Sequence, residues 1–262
     1  MRNLTRTLVI ALAALLLGGL AAAQTSLKVG ASPVPHAEIL EFIKPTLAEQ
    51  GIDLQIVLFT DYVQPNLALD AGDLDANYFQ HVPYLEQFSA DHGLDLVAVG
   101  GVHVEPIGLY SRRHASLADL PNGAQIAIPN DPTNGGRALL LLQAAELITL
   151  ADGAGLSATP LDVTANPKGF RFVELEAAQL PRSLDDVAAA IINTNYALEA
   201  GFNPAEDALV IEGAESPYVN VVAVKSGNEN GAAVQALLAA LQSEAVRDFI
   251  NAQYQGAVAA TF

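Results

Sequence analysis

The chain has 262 residues, a formal net charge of -17 and no cysteine. So acidic a surface repels nucleic-acid phosphates, and the densest basic spot is only Arg112–Arg113, so a nucleic-acid partner is excluded. Without thiols there are no disulfides, thiol nucleophiles or cysteine-ligated zinc, while a 51% hydrophobic content provides for one large core or two modest ones.

The N-terminus opens with Arg2 and Arg6. An apolar run over 8–20 and the small residues Ala21-Ala22-Ala23 follow, the three-part layout of a secretory signal peptide over 1–23. The following segment alternates as strand (27–31), helix (36–49, apolar at Ile39, Leu40, Ile43 and Leu47) and strand (54–59). Further on, 62–71 and 83–92 read as helices closed by Gly72 and Gly93, around a strand at 74–79. Strands are expected at 94–99, ending at Gly100-Gly101, and at 107–110. A second section begins with a helical turn and loop at 117–123, followed by a strand at 125–128, a dense loop signal at 129–136 and a helix from Arg137 to about Leu150. Strands at 170–175, 190–192, 209–211 and 219–224, a short helix opened by Ser183 and one long helix over 231–253 complete the reading. The pattern is α/β throughout, without an internal repeat or low-complexity linker. It implies parallel-rich sheets in two lobes with a ligand cleft between them.

Three features carry chemistry. In Asn130-Asp131-Pro132-Thr133-Asn134-Gly135-Gly136-Arg137 a strand runs through a polar glycine turn into a helix. Unpaired amides, a positive helix end and the planar fork of Arg137 suit a carboxylate or phosphate. An ordinary capped helix with a surface arginine fits the segment equally well, and the Gly-Lys-Ser/Thr ending of a P-loop is missing. The second feature is an aromatic cluster, Tyr78, Phe79, His81 and Tyr84 with Tyr62 nearby, which suits an apolar or thioether ligand or plain core packing. The third is a set of asparagines at strand ends, Asn193, Asn195 and Asn220, able to hold ammonium and carboxylate groups or to stabilise turns. Signs of an enzyme are weak. His36, His81, His92, His103 and His114 form no HExxH pair and there is no Gly-x-Ser-x-Gly elbow. Asp70, Asp73 and Asp75 lack the calcium-loop pattern, so neither metal nor cofactor is expected.

These segments occur in an order that identifies a family. Asp61 through Asn66, Asp75-Ala76-Asn77 with Phe79-Gln80-His81 and Pro83-Tyr84-Leu85, Pro129 through Gln143, Glu174 through Asp186, Ile192 through Ala197, and Glu215 through Asn220 together resemble the methionine-binding lipoprotein (NlpA-type) family of ABC importer subunits. The resemblance implies a two-lobed periplasmic-binding-protein fold, type II-like, that closes on free methionine and docks to a permease driven by a separate ATPase. It implies that Arg137 grips the ligand carboxylate, that Asn193 and Asn220 hold its polar end, and that Tyr62, Phe79 and His81 line the side-chain pocket. Asn134, Asn195 and Tyr84 complete the expected site. Lobe one is expected at 24–110 and 222–262, lobe two at 111–221. The expected protein is a periplasmic or cell-envelope monomer, exported by a cleaved signal. It is not lipidated, since the family's lipid-bearing cysteine is missing. Glu105 stands where relatives often carry an aromatic, so a side chain reaching the cleft there would alter selectivity. A Met-containing dipeptide or another apolar amino acid is the alternative ligand, and an exported enzyme or scaffold the alternative class.

Overall fold

The computed structural model describes residues 24–213 and 216–262; the expected signal peptide lies outside them. Two sheets organise the chain. The first has six strands in the order β13 (Ala259–Ala260), β4 (Leu96–Val104), β12 (Val219–Lys225), β3 (Ala76–His81), β1 (Thr25–Ala31) and β2 (Ile52–Leu58). The second has five, in the order β11 (Val210–Ile211), β5 (Gly108–Tyr110), β10 (Ala189–Ile192), β6 (Gln125–Pro129) and β9 (Arg171–Leu175). A small hairpin, β7 (Thr149–Leu150) and β8 (Val163–Ala165), stands apart. The sheets are mixed. β1 runs parallel to β2 and β3, whereas β12 is antiparallel to β3 and β4. β6 is parallel to β9 and β10, whereas β5 is antiparallel to β10 and β11.

Helices cover both faces of each sheet, which is why the central strands read as unbroken apolar runs. On one face of the first sheet, Leu27, Val29, Val222 and Val224 pack with Ile39, Leu40 and Ile43 of α1 (Glu38–Glu49). Leu69 of α2 (Gln64–Ala71) and Leu85 of α3 (Val82–His92) cover Val221 and Ala223 on the other. In the second sheet the period of two is plain: Ile126, Ile128 and Ile191 face α4 (Pro132–Ala144), while Ala127, Ala190 and Ile192 face Leu180 and Tyr196. Each fully buried leucine or isoleucine contributes about 1.5–3 kcal/mol relative to exposure.

The structure moves several expected boundaries. The second lobe begins earlier than residue 111, because β5 pairs in the second sheet, and all of β12 belongs to the first. The chain therefore crosses from the first sheet to the second between β4 and β5 and returns between β11 and β12. The supposed loop at 132–136 is the first turn of α4, since Asp131 is its N-cap and Pro132 opens it. That helix stops at Ala144, where the chain turns through Glu146 at φ 58. Gly100-Gly101 does not end a strand; β4 runs through it, and its register against β12 shifts there. Ser183 closes the short helix α5 (Leu180–Ser183) rather than opening one. The last helical stretch is two helices, separated from the rest by α6 (Thr194–Glu199) and α7 (Pro204–Asp207) in chain order: α8 (Ala232–Leu241) and α9 (Glu244–Tyr254). The break is made by Ser243, whose side chain accepts the Val246 N–H and caps α9. Among the described residues no helix is long and apolar enough to cross a membrane.

Candidate functional site

All nine expected site residues line one cavity: Tyr62, Phe79, His81, Tyr84, Asn134, Arg137, Asn193, Asn195 and Asn220. It lies between the two sheets and mixes aromatic rings with amide, guanidinium and carboxylate groups. Strand ends aim the side chains at it. β3 delivers Phe79 and His81, Asn193 follows β10, Asn220 is the second residue of β12, and α4 contributes Asn134 and Arg137 from its first turns. Tyr62 stands on the link between β2 and α2, where the Asp61 carboxylate accepts the Val63 and Gln64 N–H groups, both at 2.8 Å.

His81 is the N-cap of α3. Its Nδ1 accepts the Tyr84 N–H at 3.1 Å, so its proton sits on Nε2 and donates to Asn134 Oδ1 at 3.0 Å. Burial first, and the nearby Arg137 charge second, lower its pKa to about 3, so the ring stays neutral. Around it, the Tyr62 ring centroid lies 6.0 Å from Phe79, 5.7 Å from Tyr84 (edge-on) and 5.1 Å from Tyr196, a continuous aromatic wall. Tyr84 is fixed by donating its hydroxyl to the Tyr62 carbonyl at 2.9 Å.

Arg137 is only 3% exposed. Its Nε donates to Glu212 Oε1 at 3.0 Å, and its Nη2 donates to the Glu105 carbonyl at 2.7 Å and to the second Glu212 oxygen. The Tyr218 ring lies 4.1 Å beneath the guanidinium carbon. Two of its three nitrogens are thus committed within the protein, leaving the Nη1 edge. Asn134 is wholly committed: its oxygen accepts from His81 and from Asn193 Nδ2, and its own amide donates to Asp131. It braces the site rather than offering a free group. Asn220 Oδ1 is joined to His36 Nε2 at 3.0 Å. By contrast, Asn193 Oδ1 and Asn195 Nδ2 are buried without a hydrogen-bond partner among the described residues. One is an acceptor and one a donor, the pair that a zwitterion needs.

Four participants escaped the sequence reading. Glu212 is 75 residues from Arg137 and is one acid in a chain of 29 Asp and Glu, so nothing singles it out. Tyr218 was legible only as part of Ser216-Pro217-Tyr218. His36 and His103 look isolated in sequence, yet with Glu105 they present ligand atoms within 4.8 Å of one another. That is close enough to hold a metal ion, although both Nε2 atoms now turn to one Glu105 oxygen in hydrogen-bonding geometry.

Two α/β lobes, each a mixed sheet clad in helices, with a partly polar cavity at strand ends between them, define a two-lobed solute-binding protein of the periplasmic class. The chain belongs to the NlpA lipoprotein family, whose family model matches residues 27–262. It is similar to the D-methionine-binding lipoprotein MetQ of Escherichia coli (strain K12), at 48% identity over 233 residues, covering 88% of this chain and 86% of that protein. Among solved structures it superposes on a nutrient binding protein from Burkholderia cenocepacia bound to methionine, with TM-score 0.87 and 46% identity over 90% of this chain and 100% of the other. It likewise matches an ABC transporter periplasmic substrate-binding protein from Coxiella burnetii, with TM-score 0.86 and 44% identity over 90% and 100% of the two chains. The family description overturns one expectation, that of a protein without lipidation. The MetQ relative, too, is named a lipoprotein. One missing residue type does not outweigh membership of a lipoprotein family. The sequence, having no cysteine, offers no residue from which to argue the attachment further.

Proposed function

We propose that this protein captures methionine in the inter-lobe cavity and delivers it to an ABC importer. The observation that carries this reading is the chemistry left unspent in the cavity. The Nη1 edge of Arg137 and the Asn195 amide suit a carboxylate, and Asn193 Oδ1 suits an ammonium. The wall of Tyr62, Phe79, His81 and Tyr84 suits a thioether, at about 0.3–1.5 kcal/mol per sulfur–aromatic contact. Asn134 holds His81 and Asn193 in place, and Asn220 holds His36. The names of the relatives point the same way, one a D-methionine-binding lipoprotein and another a structure bound to methionine.

The protein acts as a monomeric receptor rather than an enzyme. The one aliphatic hydroxyl lining the cavity, that of Thr194, is spent on the Pro106 carbonyl, and the neutral His81 is pinned at both nitrogens. The lobes close about the two chain crossings, and a membrane permease with its ATPase receives the closed form.

The test is to denature the purified protein, identify released small molecules by mass spectrometry, and titrate D- and L-methionine into the refolded protein by calorimetry. One-to-one binding is expected, weakened about 100-fold in Arg137→Ala, the loss of roughly 3 kcal/mol typical of a buried charged partner. A different released compound, with no methionine binding by folded protein, would replace the ligand.

A further inference from the structure

Glu105 follows the end of β4 and lines the cavity, with its side chain only 8% exposed. Its Oε1 is 2.8 Å from His103 Nε2 and 3.2 Å from His36 Nε2. Neither imidazole is free to move. His103 Nδ1 is hydrogen-bonded to the Tyr78 hydroxyl, and His36 Nε2 also meets Asn220 Oδ1 at 3.0 Å. Both rings stay neutral, because burial lowers His36 to about 4 and His103 to about 3. They orient the Glu105 carboxyl, whose pKa burial raises, so that it readily holds a proton until a cation takes its place.

The cavity charges do not balance. Arg137 is matched by Glu212 on two nitrogens and reaches Glu105 only at its backbone carbonyl. Glu105 is therefore the carboxylate lining the cavity that has no cation of its own in direct contact among the described residues. A buried carboxylate in that state is costly until a cation arrives. The same cavity holds the unpartnered acceptor Asn193 Oδ1. Two inward acceptors, one of them a carboxyl group that a cation would ionise, fit a group with several N–H donors and a positive charge. Both histidines offer Nε2 to the same oxygen, and His36 Nδ1 has no outer partner of the kind that orients a metal-ligating imidazole. The cluster is therefore better suited to holding Glu105 than to holding a metal.

We infer that Glu105, oriented by His36 and His103, is the acceptor for the ligand's free ammonium and makes an unsubstituted, charged amino group a condition of binding. The inference rests on the methionine reading and goes past it: N-acylated amino acids and hydroxy acids of the same shape are rejected. A ligand without the ammonium leaves Glu105 either unpaired or forced to take up a proton.

The experiment is calorimetry in EDTA with L-methionine, N-acetyl-L-methionine and 2-hydroxy-4-(methylthio)butanoate, on the wild-type protein, Glu105→Gln and Glu105→Asp. The wild type is expected to prefer methionine over both analogues by about 100-fold or more, the scale of one buried charge pair. Glu105→Gln is expected to lose that preference by weakening methionine alone, and Glu105→Asp to keep most of it. Equal wild-type affinity for methionine and the hydroxy acid overturns the inference while leaving the receptor reading intact, even should the variants not fold. An unchanged preference in folded Glu105→Gln does the same, as does methionine binding that EDTA abolishes. A folded wild type that binds none of the three overturns both readings.

Discussion

Arg137 offers a ligand one edge because Glu212 holds the other. The Glu212 carboxylate is 17% exposed and the guanidinium 3%, so this pair is well shielded from water. Replacing Glu212 with Gln keeps an acceptor in place but removes the charge, and the cost in the ligand-free protein is expected to be about 3 kcal/mol, the scale of breaking a buried pair. A bound carboxylate then takes over as counter-ion. Methionine should consequently raise the Tm of Glu212→Gln more than that of the wild type; thermal unfolding with and without ligand checks this, and an equal shift contradicts it. At this scale the sequence was informative about which residues gather and less so about what each does. Arg137 stood out by residue type at a helix start, and Asn193 and Asn195 at a strand end, but an asparagine does not announce which half of its amide is already spent. Asn134 proved to be spent on Asp131, His81 and Asn193.

Elements were legible where local rules and packing agreed. Gly72 and Gly93 end their helices in the left-handed conformation, at φ 82 and φ 65. Legibility failed where a tertiary contact licensed what propensity forbids. Gly135-Gly136 reads as loop, yet both lie inside α4, because the helix packs so tightly there that no side chain fits. A Cβ on Gly136 would fall against the Leu156 carbonyl, 2.7 Å from its carbon and 2.9 Å from the Ala158 nitrogen. These are backbone atoms and cannot swing aside. Gly136→Ala is therefore expected to destabilise by about 1–3 kcal/mol despite alanine's better helix propensity. Gly213→Ala, with nothing within 4 Å of its added methyl, serves as the neutral control in the same denaturant titration. The opposite error occurred at 231–253, where an apolar run concealed the cap at Ser243 that makes two helices.

For the molecule as a whole, three buried histidines set its response to acid. His36, His81 and His103 titrate at about 4, 3 and 3 when folded, because burial opposes their charge, against 6.5 when unfolded. The unfolded chain thus takes up protons first as pH drops below 6.5. Stability is full above that value and falls towards pH 4, each histidine contributing a slope of about 1.4 kcal/mol per pH unit. Glu105 and Asp131, raised by burial, work against this, since when folded they take up protons at higher pH than when unfolded. Urea unfolding at pH 7.5 and 5.5 should show the loss, and His103→Gln should reduce the slope; a flat profile contradicts it. The two-lobed α/β architecture was readable from the alternation of strands and helices. The lobe edges were not, because β5 and β12 give no local sign of the sheet each will join.

Three hydrogen bonds lock the lobes across the cavity: Tyr62 to Asn195 at 2.6 Å, Tyr196 to the Thr60 carbonyl at 3.1 Å and His81 to Asn134 at 3.0 Å. Parting the lobes breaks these contacts, so exchange through an opened cleft is expected to run on the protein's clock and not on the solute's. Stopped-flow relaxation rates should climb with methionine concentration and then level off at the rate of unlatching. The chain brings its own lamp for the measurement, since it has no tryptophan and two of its 7 tyrosines are themselves bolts of the lock.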